Sequence, residues 1–211
     1  MKKCHYFQIL KLNSFNYEYI NDAITNKLQI KRRKTMAIRN ILRSGNPILR
    51  ERSTEFEIDQ IQTQATRQLV ADMFETMEAA NGQGLAAPQI GELKRVVIVR
   101  LFRDENYIDR VLFNPKIKVV GKSKLGSWEG CLSVPGFVGY VERIRRIELE
   151  FYDESAKKNL ETVEGYDAVV YQHECDHFDG ILYTDRMTDS RLFGFDDTTD
   201  TRELRALVKS N

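Results

Sequence analysis

The 211-residue chain carries 32 basic and 31 acidic side chains, and 42% of its residues are hydrophobic. That balance is ordinary for a globular protein and excludes a global electrostatic reason to bind nucleic acid, so no specific DNA partner is expected. No apolar run approaches the roughly 20 residues needed to span a bilayer, and no membrane partner is expected either.

The charge is unevenly spread. Residues 1–35 hold eight Lys/Arg against Glu18 and Asp22, a net of +6, which leaves a net of −5 for residues 36–211. This sets a boundary near Met36 and makes residues 1–35 a basic N-terminal extension. It reads as a disordered tail, an organelle targeting segment, or sequence that does not belong to the mature protein. The three cysteines, Cys4, Cys131 and Cys175, are too sparse for a disulfide framework and fit a reducing compartment.

From Met36 the sequence becomes orderly. A turn at Gly45-Asn46-Pro47 precedes a helix expected over 59–80, with Ile61, Ala65, Leu69, Met73, Met77 and Ala80 on one buried face. Asn81-Gly82 is its stop signal. Strands are expected at Arg95–Leu101, Arg110–Phe113, Ile117–Val120, Val138–Val141 and Ile144–Phe151, where β-branched residues concentrate. A turn-like segment, 126–135, lies between them. A second helix is expected over 164–178, and a polar tail over 188–211 ends in a short amphipathic helix at Thr201–Val208. The pattern predicts an α+β domain over 36–187, with mostly antiparallel sheets packed around a helix.

That second helix carries the strongest chemical signal. His173 and His177, two of the chain's three histidines, flank Glu174 as H-E-x-x-H. Residues four apart on a helix share a face, about 5–6 Å apart, so both imidazoles can hold one metal ion. Glu174 sits one step round, where a carboxylate can take a proton from water at the metal. Cys175 points elsewhere and reads as a small buried hydrophobe; Asp176 reads as a carboxylate behind the ligands or on the helix surface. The metzincin spacing holds as far as Gly180, but Tyr183 stands where that pattern has its last histidine. For a third ligand, Cys131 is the better candidate, although core packing is the commoner fate of a free cysteine.

Three segments in order resemble the motifs of peptide deformylases: Gly82-Gln83-Gly84-Leu85-Ala86-Ala87-Pro88-Gln89, Glu129-Gly130-Cys131-Leu132-Ser133, and Gln172–His177. The resemblance runs from Met36 to about Met187. It implies a hydrolase that removes the formyl group from the formyl-methionine of new polypeptides and releases formate. It implies Cys131, His173 and His177 as metal ligands, with Fe(2+) the expected ion and Zn(2+) or Ni(2+) as alternatives. Glu174 becomes the general base and then the acid. Gln89 and the backbone N–H of Leu132 stabilise the oxyanion, and Gly84 pairs with the substrate backbone. Tyr166, Val169 and Val170, on the helical face of the ligands, are expected to wall the methionine pocket together with residues near Trp128. The family's partner is the ribosome near the nascent-chain exit, and Arg202–Lys209 is a candidate docking segment. The implied location is the cytoplasm of a bacterium, or an organelle matrix if residues 1–35 are a targeting segment. A zinc endopeptidase and a structural zinc module remain the competing readings.

Overall fold

A computed structural model describes residues 37–200 of the chain. The basic extension, Met36 and the expected helix at Thr201–Val208 lie outside the described residues.

Helix α1 (Gln64–Ala79) begins at Thr63, whose hydroxyl accepts from the Thr66 amide at 3.3 Å, a capping bond that satisfies an otherwise orphaned donor. The expected start near residue 59 falls instead in a 3₁₀ turn, Ile58–Gln60. The helix ends where Asn81-Gly82 predicts, with Asn81 at φ 54°. Its buried face is turned slightly from the expected one: Ala65 is exposed, whereas Thr66, Val70, Met73 and Met77 are buried. Met73 and Met77 pack with Ile61 against Ile98, Val111 and Phe113.

The strands follow as β1 (Gly84–Ala86), β2 (Val96–Arg103), β3 (Asn106–Val119), β4 (Lys124–Cys131), β5 (Val134–Ile144), β6 (Arg146–Tyr152), β7 (Lys158–Glu164) and β8 (Phe193–Phe195). They form a five-stranded sheet, β1-β2-β3-β6-β7, and a three-stranded sheet, β4-β5-β8. Every neighbouring pair is antiparallel, so the α+β architecture is the one expected.

Three differences from the sequence reading have physical causes. Arg110–Phe113 and Ile117–Val120 fall, all but Val120, in one strand, β3, bent by a bulge between Phe113 and Lys116. Asn114, at φ 51°, stabilises that bend: its Oδ1 accepts from the Phe56 amide at 2.6 Å and its Nδ2 donates to the Phe56 carbonyl at 2.8 Å. The segment expected as a turn over 126–135 is mostly strand, with only Leu132–Ser133 linking β4 to β5. Gly126 there makes room rather than a turn, because a methyl group on it would overlap the Tyr140 hydroxyl. Finally, the expected polar tail supplies β8, whose Phe193 and Phe195 rings lie 5.1 and 4.5 Å from Phe137 on β5.

Helix α2 (Tyr166–Asp176) follows Gly165, at φ 70°, and runs into a 3₁₀ turn, His177–Asp179, that closes on Gly180 at φ 69°. It touches strands of both sheets. Ala168, Val170 and Tyr171 are buried with Val97, Leu149 and Phe151 in one core cluster. A short helix, α3 (Tyr183–Arg186), completes the descent from α2.

Candidate metal centre

Cys131 ends β4, at the point where its register against β5 shifts. The shift and the short Leu132–Ser133 link bring the thiol under α2. The ligand atoms of Cys131, His173 and His177 all lie within 4.8 Å of one another. Cys131 Sγ is 3.5 Å from His177 Nε2, and the two imidazole centroids are 5.4 Å apart. The α2 period thus does what the H-E-x-x-H spacing predicts, although His177 stands just beyond the last α-helical residue. Its φ of −58° and ψ of −29° continue the helical path.

The His173 ring is oriented from behind. Its Nδ1 lies 2.8 Å from Glu129 Oε2. Burial alone would raise the Glu129 carboxyl, but hydrogen bonds from Arg143 and His173 reverse this and bring it down to about 2. Glu129 is therefore an acceptor at neutral pH, so His173 Nδ1–H donates and leaves the Nε2 lone pair for the centre. Arg143 grips Glu129 through Nε and Nη2, both at 2.9 Å. Its Nη1 donates to Asp176, which also accepts from Arg186 Nε at 3.1 Å and Nη2 at 2.7 Å.

Glu174 is buried, and a methyl group at Gly84 would overlap its carboxyl. Only a glycine lets that carboxyl lie against β1. Burial pushes Glu174 up to about 7, with His173 and His177 pulling the other way. Its Oε2 and His177 Nδ1 are buried without a partner among the described residues. Burial would raise the Cys131 thiol as well, yet the His177 and His173 imidazoles bring it well below its ordinary value.

Gln89 is buried in the turn after β1. Its Oε1 accepts from the Ala86 amide at 2.8 Å, so its Nε2 faces Ser133 Oγ at 3.2 Å and Cys131 Sγ at 3.5 Å. The amide donor therefore points into the site. Leu132 directly follows the cysteine, and its side chain packs beside Gly82.

A soft thiolate and two imidazoles, gathered by three protein donors with a buried carboxylate beside them, fit a divalent metal of catalytic type. Among the described residues this is the one cluster of that kind. Tyr183, at the metzincin position, stacks 6.1 Å from His173 and directs its hydroxyl to the Phe137 carbonyl at 3.2 Å, away from the ligands.

The sequence model of the polypeptide deformylase family matches residues 38–192. The chain belongs to that family. It is 47% identical over 173 residues to a peptide deformylase of Leptospira biflexa serovar Patoc, covering 79% of this chain and 97% of that relative. A probable deformylase from the Synechococcus phage S-SSM7 superposes with a TM-score of 0.65 at 38% identity, covering 70% of this chain and 99% of the phage chain. A class I type b deformylase of Acinetobacter baumannii gives 0.69 at 29% identity, covering 72% and 100%.

The residues expected to wall the methionine pocket differ in exposure. Tyr166 is exposed at the start of α2, with its hydroxyl 3.2 Å from Gln83 Oε1. Val169 is buried, and Val170 is buried in the cluster that also holds Ala168 and Tyr171. Trp128 packs edge-on against Tyr140 at 5.8 Å. Cys175 packs against the core as a thiol raised by burial, and Asp176 accepts from Arg143 and Arg186. Sequence reasoning gave no role to Glu129, although it opens the second motif. It missed Arg143 and Arg186 altogether, since no local period links them to the histidines.

Proposed function

We propose that the chain hydrolyses the N-formyl group of formyl-methionyl nascent peptides, releasing formate, with one divalent ion held by Cys131, His173 and His177. The observation that carries this reading is the convergence of Sγ and two imidazole nitrogens within 4.8 Å, beside the buried Glu174 carboxyl. Fe(2+) is the ion assigned, and Zn(2+) or Ni(2+) satisfy the same donors. When bound, the ion supplies Lewis acidity towards the formyl oxygen and towards water, whose pKa it lowers.

The chain's residues perform the rest. Glu174 Oε2, with no partner among the described residues, takes the proton as water oxygen bonds to the formyl carbon. The C–N bond then breaks, and Glu174 passes that proton to the leaving amine nitrogen. A carboxyl poised near 7 suits both directions of transfer. Negative charge on the former carbonyl oxygen is met by the Gln89 Nε2–H and the Leu132 backbone N–H, donors worth roughly 3–4 kcal/mol each where charge develops. Gln89 is held ready by its bond to Ala86, so it does not reorganise during reaction.

β1 is an edge strand of the five-stranded sheet, and its Gly84 offers backbone groups to an extended peptide, a mode of recognition that uses main-chain hydrogen bonds. Tyr166, Val169 and Val170 are assigned to the methionine pocket. The Acinetobacter baumannii relatives were crystallised with Met-Ala-Ser and with actinonin, and Met-Ala-Ser has the form of a deformylated product. We assign residues 36–187 as the catalytic domain. A nascent-chain substrate implies transient work at the ribosome, in bacterial cytoplasm or an organelle matrix. The candidate docking segment Arg202–Lys209 lies outside the described residues.

The test is formate release from a formyl-Met peptide by anaerobic, iron-loaded protein. Glu174→Gln is expected to lower kcat on the order of 10²–10⁴-fold while metal content stays at the wild-type level. Full activity in that variant, or hydrolysis of unformylated peptides instead, would refute the assignment.

A further inference from the structure

We propose that Arg186, a surface residue on α3, is a positioning residue for the metal centre. It would act through a line of alternating charges: Arg186, Asp176, Arg143, Glu129, His173. The inference deepens the metal-hydrolase reading and rests on it for the identity of the centre.

An isolated ion pair at the surface contributes little. This one differs in where it leads. Side-chain exposure falls from 47% at Arg186 to 12% at Asp176 and 5% at Arg143 and Glu129. Arg186 holds both oxygens of Asp176, Nη2 on Oδ1 at 2.7 Å and Nε on Oδ2 at 3.1 Å. That two-point grip fixes the plane of the Asp176 carboxylate. The fixed Oδ2 is also the acceptor for Arg143 Nη1, the one Arg143 nitrogen in the network not spent on Glu129. Glu129 in turn fixes the His173 ring at 2.8 Å.

Asp176 is also the last residue of α2 and precedes His177. Its carboxylate therefore ties both histidines to α3. Without Arg186, Asp176 can turn towards the groove it lines with Gln172 and Cys175. Arg143 then loses one anchor, and Glu129 and His173 lose definition. Groups directly behind metal ligands change affinity or activity by about 10–100-fold when removed. One further step out, we expect Arg186→Ala to accelerate metal loss about 3–10-fold, scaled down from that range.

The experiment uses the full chain loaded with Co(2+). Release to a chelator is followed by stopped-flow absorption, together with the visible ligand-field spectrum, thermal stability, and the separate kcat and KM for formate release. Arg186→Ala should release cobalt faster, shift the ligand-field bands and lower kcat with KM little changed. Arg186→Lys, which keeps the charge and one donor, should recover part of each effect. Unchanged cobalt release and bands in Arg186→Ala would overturn the proposal. So would changes that track thermal stability alone and are not relieved by Lys. Failure of the deformylase reading would show separately, as absence of formate release by the wild-type protein.

Discussion

Gly84 lies against the carboxyl group on which the proposed chemistry turns. A methyl group there would meet Glu174 Oε1 and Cδ, both too close to remain where they are. Gly84→Ala is therefore expected to displace Glu174 and lower kcat on the order of 10²-fold, the usual cost of misplacing a reacting group by about 1 Å. Bound metal should remain, since the atoms nearest that position all belong to Glu174. Kinetics near wild type in this variant would show that the carboxyl is free to move. At this scale the histidine pair and Glu174 were legible because a helix turns a four-residue interval into shared direction. Cys131 was legible as a candidate third ligand, and only its place in a family motif singled it out from a packing role, because a strand end and a helix 42 residues later meet by topology. Arg143 and Arg186 left no trace in the sequence. Their roles come from through-space pairing, which has no period.

Among the elements, α1, β2 and the core of α2 were legible from apolar period and stop signals. β4 and β7 were not. In β4 the glycines resemble a turn, yet Gly126 is there to admit Tyr140. β7 is an edge strand whose residues alternate between exposed and half-buried, with Leu160 itself exposed. A strand solvated along one side lacks the β-branched run that marks a buried one. The β6–β7 hairpin is held by Asp153. Burial would raise its carboxyl, but Ser155 Oγ at 2.6 Å, Asn159 Nδ2 at 3.0 Å and the Lys157 and Ser155 amides bring it down to about 2. A carboxyl lowered on folding contributes stability above its unfolded pKa of about 4 and loses it as pH falls through its folded value. The stability difference between wild type and Asp153→Asn should be constant above about pH 4 and shrink as the pH falls towards 2. Denaturant melts across that range check this, and a difference independent of pH would contradict it.

For the whole molecule, the α+β class followed from mixed helical and β-type patterning. The division into two sheets did not, because register and sheet membership depend on long-range pairing. That division has a functional consequence. Cys131 belongs to the three-stranded sheet, while His173 lies on the helix that touches both sheets and His177 directly follows it. One bound ion would join them, so metal should stabilise the fold as well as enable its chemistry. A ligand at 100 times its Kd adds about 2.7 kcal/mol when it binds only the folded state.

The most direct test of the Cys131–His173–His177 centre is a titration of metal-free protein with Co(2+), followed by near-ultraviolet and visible absorption and by thermal unfolding. One equivalent should bind, give a sulfur-to-metal charge-transfer band and raise the Tm, and Cys131→Ala should lose the band. A wild-type protein that binds no cobalt, or a band that survives Cys131→Ala, would contradict the account.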